Sequence, residues 1–299
     1  MWRHLCSLVC AITLSALHAT EAQKSPEYYV WPEPDAADTE KLVKELKTDL
    51  PAADFSFARV GPWIVATDLP AADAKIFTQN TIAKSASLIQ KQLFTKTPRS
   101  EPVKVYLFKD ADSYTVWNLK LFNERPTTPY GYYSRAKKAL VMNIGTGGGT
   151  LIHEMVHAMA EADFPEIPSW LNEGLGSLFE ACRPLANGKM VGTTNWRLRG
   201  LMADLKAGSA PKFSELLKMT TAEFYDKKRS GNNYASIRYL MQYLQEQGKL
   251  ETFYWRIRDG KDESPTATLL FVFDNKLTVE QIEQKCYAWV RELGAQAGM

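Results

Sequence analysis

A chain of 299 residues is long enough for one large or two small domains with a real core. Its 36 Lys and Arg stand against 34 Asp and Glu, a formal charge of +2, and the basic residues are scattered rather than clustered. Nothing in that balance calls for nucleic acid or an anionic membrane surface as partner.

Residues 1–22 read as a signal peptide. Met1-Trp2-Arg3-His4 is a short basic start, Leu5 to Leu17 is apolar, and Thr20-Glu21-Ala22 places small residues where a signal peptidase reads, so cleavage is expected near Ala22. The run is short for a membrane span, so the mature protein is expected to be secreted or periplasmic, without stable membrane insertion. Of four cysteines, Cys6 and Cys10 would leave with the signal. Cys182 and Cys286 remain, either as one disulfide or as two unpaired thiols.

Residues 23–60 are read as a leader with a peripheral helix. Gln23 to Pro34 is polar, and Asp38 to Leu50 carries Leu42, Val43, Leu46 and Leu50 at helical spacing. The main domain is expected over 61–299, with a sheet lobe over about 61–160 and a helical lobe over about 161–299. Strands are predicted at Pro62–Thr67, Val103–Phe108, Tyr130–Ser134 and Ala139–Ile144. A long helix is predicted at Ala71–Phe94, and a helix or irregular segment at Ala111–Asn123. Leu140 to Asn143 is taken as the edge strand along which an extended peptide could add. The run from Gly145 to Gly149 lacks a nucleotide-binding pattern and reads as a flexible link.

The next stretch, TLIHEMVHAMAEA, reads as a helix: Leu151, Ile152, Met155, Val156, Ala158 and Met159 are apolar, and no Gly or Pro interrupts it. His153 and His157, four apart, fall on one face of that helix. Two imidazoles so placed can grip one zinc-sized ion, with Glu154 close enough to act on a water as general base. The other two histidines, His4 and His18, lie in the signal peptide, so both histidines of the mature chain belong to this motif. The bland alternative is a buried helix whose histidines pack without metal.

A catalytic zinc site takes three protein ligands and keeps one position open. After Pro165 and Pro168 a second helix begins near Ser169, and Glu173, in its first turns, is the candidate third ligand. By itself Glu173 could equally be a solvated helix residue.

HEMVH followed by PSWLNEGLG resembles the gluzincin metallopeptidases, the thermolysin-like group, and is closest to the peptidase MA-like branch. The resemblance implies an α+β, zincin-like fold, with a mixed sheet lobe over the motif helix and a helical C-terminal lobe. It implies Zn²⁺ held by His153, His157 and Glu173, with Glu154 as base. Two departures stand out: Gly176 where the branch has Ala, and Ser177 where thermolysin-like enzymes carry an Asp that orients a zinc histidine. Glu180 is a possible substitute, although a plain solvated or salt-bridged Glu is the simpler reading. The thermolysin-like group steadies its intermediate with a His and a Tyr. No third histidine exists here, and Tyr234, at the start of the amphipathic run Tyr234–Gln247, resembles the tyrosine that several gluzincins use. Packing is the competing role for Tyr234.

The expected function is therefore a secreted zinc peptidase acting on peptides or proteins, endopeptidase preferred because no exopeptidase signature is present. The alternative is a non-catalytic envelope or extracellular binding or assembly protein on the same frame. Further helices are predicted at Asn195–Ala207, Phe213–Met219, Glu251–Arg258 and Thr278–Leu293, the last with a Thr278/Gln281 capping box. Arg183 to Gly192 reads as a loop.

Overall fold

The computed structural model describes residues 31–51 and 53–299. The signal peptide expected over 1–22, with His4, His18, Cys6 and Cys10, lies outside them. Among the described residues, no helix is long and apolar enough to cross a membrane.

The fold is α+β. A five-stranded mixed sheet runs in the order β1 (Ser56–Val60), β2 (Trp63–Thr67), β3 (Val103–Phe108), β5 (Ala139–Asn143), β4 (Gly131–Ser134). The pairs β2–β3 and β3–β5 are parallel, while β1–β2 and β4–β5 are antiparallel hairpins. Every residue of β2 and β5 is buried, which is why both read as unbroken apolar runs. Alternate side chains serve two cores. Val65, Val105, Leu107, Leu140 and Met142 face the larger one, shared with the helices that follow. Ile64, Ala66, Tyr106, Phe108 and Val141 meet Leu46 of α1 (Ala36–Asp49), Leu50 just after it, and Tyr114 of α4 (Ala111–Phe122) on the other side.

Between β2 and β3 the chain is helical from α2 (Ala71–Ile76) through a π-helical stretch (Phe77–Ala86) to α3 (Ser87–Gln92). Ile82, Ala86 and Ile89 of this run are buried in the larger core, as expected from their spacing. The strand β1 was not legible. It lies inside the segment read as leader, and it is an edge strand with mostly exposed or half-buried side chains, so no apolar alternation marks it.

Beyond the sheet come α5 (Gly148–Asp163) and α6 (Ser169–Phe179). A short hairpin, β6 (Cys182–Pro184) and β7 (Met190–Gly192), then replaces the loop expected there. Its strands are three residues long, too short for a periodicity to show. The helical lobe follows with α7 (Arg197–Ala207), α8 (Phe213–Leu216), α9 (Thr221–Phe224), α10 (Ser230–Glu246), α11 (Leu250–Arg258), α12 (Pro265–Val272) and α13 (Val279–Gln296). The Thr278/Gln281 capping box opens α13. Helix α10 is buried on nearly every side from Asn233 to Leu244 and forms the axis of this lobe. It starts one turn before Tyr234, so that tyrosine sits in its second turn. Cys182 and Cys286 are both free thiols.

The edge-strand expectation for Leu140–Asn143 is corrected. Strand β5 lies between β3 and β4, with Val141 opposite Tyr106 on one side and Tyr132 on the other. The edge is β4. Asn143 N–H donates to the Tyr130 carbonyl at 2.9 Å, which turns the backbone groups of Gly131 and Tyr133 away from β5. The hairpin folds back outward, so its first strand, not its second, is left unpaired on one side.

At the end of α5, Asp163 joins the lobes. Its buried carboxylate accepts from the amides of Lys96 (2.7 Å) and Thr97 (2.8 Å), from the Tyr254 hydroxyl (2.9 Å) and from Arg258 Nη1 (2.9 Å).

Candidate metal centre

Helix α5 buries Leu151, Met155, Val156, Ala158 and Met159 in the core. That fixes its rotation and turns His153 and His157 toward α6. Their ring centroids lie 4.7 Å apart with planes nearly perpendicular. Gly149 lets the start of α5 close on the end of α6: a Cβ there would come 2.4 Å from the Glu180 carbonyl oxygen.

Helix α6 begins directly after Pro168, whose extended backbone caps it without a side-chain bond. One turn in, Glu173 is buried and points back at both rings. Its Oε2 lies 3.2 Å from His153 Nε2 and 3.5 Å from His157 Nε2. A tetrahedral ion with bonds of about 2.0–2.1 Å needs ligand atoms about 3.3–3.4 Å apart, and the two distances from Glu173 Oε2 bracket that value. The side chains of His153, Glu154 and His157 also offer ligand atoms within 4.8 Å of one another. Sequence reasoning could place Glu173 only near the motif; the packing of α6 on α5 brings it there.

Opposite charges face each other at the same point. His157 Nδ1 lies 2.9 Å from Asn172 Oδ1. An amide oxygen only accepts, so Nδ1 carries a proton, and Nε2 is the nitrogen that faces Glu173. Burial opposes a charge on His157, but the Glu173 carboxylate outweighs it and lifts the imidazole to about 9. Burial likewise opposes the Glu173 charge, and the two histidines hold that carboxyl well below its ordinary range. A proton, as in the His153 Nε2···Glu173 Oε2 contact at 3.2 Å, or a metal ion can neutralise this cluster.

Glu154 stands to the side. Its Oε2 accepts from the outward-facing Tyr133 amide of β4 at 2.9 Å. The Tyr133 hydroxyl in turn donates to Glu161 Oε2 at 2.5 Å, and Glu161 also faces Arg135 Nε at 3.3 Å. The acid of the motif is thus tied to the free edge of the sheet.

No protein-family model and no curated protein matches this chain.

The surrounding shell was only partly foreseen. Glu180 Oε2 is 3.9 Å from His153 Nδ1, too far for a hydrogen bond. It pairs instead with Arg197, and Trp196 Nε1 donates to its other oxygen at 3.2 Å. Glu180 is therefore a salt-bridged residue beside the ring. Gly176 lies under the His153 imidazole, where a Cβ would approach Nε2 to 3.0 Å. The glycine lets the ring sit close against α6. Asn172 was missed: it neighbours Glu173 in sequence, but nothing in its spacing separates it from a solvated helix residue.

Tyr234 is brought to the site. Burial and the Glu173 charge push its phenol well above the ordinary tyrosine range, so it is a neutral hydrogen-bond donor. Its ring lies 6.3 Å from that of Tyr225 and 5.7 Å from the Arg197 guanidinium. Tyr225 was not foreseen at all, yet its hydroxyl donates to Glu173 Oε1 at 2.6 Å. The Thr220/Glu223 capping box that opens α9 was the one sequence signal near it.

Proposed function

We propose that this chain is a zinc-dependent peptidase of the zincin type, with His153, His157 and Glu173 as the ion's ligands. The observation that carries this reading is the meeting of the two Nε2 atoms and Glu173 Oε2 at 3.2 and 3.5 Å. A second carboxylate, Glu154, stands beside them, and a purely structural zinc has no use for it. The element order supports the zincin frame: a mixed sheet ends in an outward hairpin strand beside the motif helix. The apolar run Leu5–Leu17 supports export.

The chemistry such an ion supplies when bound is polarisation of a carbonyl and acidification of water toward a pKa of about 7. The chain does the rest. Asn172 holds a proton on His157 Nδ1, so Nε2 is the nitrogen that would give up its proton and ligate. Tyr133 N–H anchors Glu154 Oε2, which leaves Oε1 to take the proton of the attacking water and deliver it to the leaving amine. Tyr234 offers a neutral phenol to the developing oxyanion. The free edge of β4, through Gly131 and the Tyr133 carbonyl, suits an extended peptide added as a further strand, and an open edge of this kind favours endopeptidase action.

Metal analysis of the purified protein, followed by cleavage of a peptide library with and without chelator, tests the proposal. Stoichiometric zinc and chelator-sensitive cleavage are expected. A protein without zinc that cleaves nothing would leave the binding-protein alternative standing.

A further inference from the structure

We infer that Tyr225 is a positioning residue for Glu173: by occupying Oε1 it leaves Oε2 alone to face the two imidazoles, and so keeps the carboxylate a one-oxygen ligand. The inference rests on the metal-centre reading above and adds to it a device that sets how many positions stay open at the ion.

The two oxygens of Glu173 are divided between two partners. Oε2 faces His153 and His157. Oε1 accepts from Tyr225 Oη at 2.6 Å, a length typical of a hydroxyl bound to a charged carboxylate. To grip an ion through both oxygens the carboxylate has to rotate until Oε1 also faces the ion, which shifts Oε1 from its 2.6 Å position against the Tyr225 hydroxyl. With Tyr225 in place that rotation strains a charge-assisted hydrogen bond, so the site stays at three ligand atoms from the protein.

The phenol is held by construction. Helix α9 runs alongside the first turns of α6, and the two are joined at matching positions. Ser169 Oγ and Thr221 Oγ1 lie 2.9 Å apart. Four residues on in each segment, Glu173 and Tyr225 make the 2.6 Å contact. One helical turn separates the two links on both sides. Phe224, the residue before Tyr225, is fully buried, packs on the Tyr234 ring with centroids 5.2 Å apart, and has its carbonyl held by Asn233 Nδ2 at 3.0 Å. Tyr225 itself is 42% exposed, so its hydroxyl contributes little to the core and can be removed without unfolding the chain.

The experiment compares the unaltered protein with Tyr225→Phe and Tyr234→Phe, each loaded with Co²⁺ in place of zinc. The visible absorption of Co²⁺ is strong at four-coordinate sites and weak at five-coordinate ones. Tyr225→Phe should lose a large part of that intensity and bind Co²⁺ about 10–100-fold more weakly, the range for losing a hydrogen bond to a metal ligand. Tyr234→Phe, which leaves the 2.6 Å bond from Tyr225 to Glu173 in place, should change the spectrum less than Tyr225→Phe does. An unchanged spectrum in Tyr225→Phe overturns the inference, even if affinity falls, and so does a change confined to Tyr234→Phe. If the unaltered protein binds no Co²⁺, the metal-centre reading itself fails, a result distinct from either of these.

Discussion

Glu154 accepts a hydrogen bond from the backbone amide of Tyr133 at 2.9 Å. The acid of the motif helix and the free edge of the sheet are thereby one unit. Because a Gln at 154 keeps an oxygen for that amide, Glu154→Gln should preserve the local geometry while losing the proton acceptor. Zinc content should be unchanged and peptide turnover should fall by about 10²–10⁴-fold, the range for a lost general base. Turnover at the unaltered rate would remove Glu154 from the mechanism.

The same pairing separates edge from interior. Proline is tolerated at an edge position whose N–H faces outward, so Tyr133→Pro should fold and hold zinc. Losing the amide that anchors a charged Glu154 should cost roughly 1.5–3 kcal/mol, about 10–100-fold in turnover. Tyr133→Phe, which keeps the amide, is the control for the lost hydroxyl. Val141→Pro strikes a strand paired on both sides and should yield no folded protein. Circular dichroism beside a cleavage assay distinguishes the two, and a well-folded Val141→Pro would contradict the strand order.

Asn172 fixes which nitrogen of His157 faces inward. Replacing it with Ala frees the ring to change tautomer and tilt. Zinc affinity, measured by competition with a coloured chelator, should weaken about 10–100-fold, while the melting temperature of the chelated protein changes little. Equal affinity would show that the ring is oriented by packing alone.

Gly176→Ala sets two effects against each other. Alanine favours a helix interior over glycine by about 0.5–1 kcal/mol. The added Cβ, however, would press on His153 Nε2 at 3.0 Å. The variant should bind zinc several-fold more weakly even where its helix is stabilised, with titration reading the first effect and thermal melting the second. Unaltered zinc affinity would mean that the ring can yield without cost.

Asp163 tests the joint between the lobes. Its carboxylate is fully buried and pairs with Arg258 while holding two loop amides and Tyr254. Removing one partner of a buried pair strands the other, so Asp163→Ala should destabilise by about 3–5 kcal/mol in urea unfolding. A loss below about 1 kcal/mol, the range of an exposed pair, would mean that solvent reaches the site.

The part of this protein that its sequence determined is the part set by neighbours along the chain. A helix places residues four apart on one face, so His153 and His157 were paired before any fold was known. The capping box at Thr278 and the apolar runs of β2, β3 and β5 were legible for the same reason: each is a rule about adjacent residues. Only the tertiary structure decided which carboxylate meets both imidazoles, since Glu173 reaches the histidines through the packing of α6 on α5. It also decided that β4 rather than β5 is the free edge, that Cys182 and Cys286 stay unpaired, and that Tyr225 reaches Glu173 from 52 residues away. Contacts between distant segments depend on how whole helices and strands settle against one another to bury apolar surface, and no periodicity within a single segment encodes that.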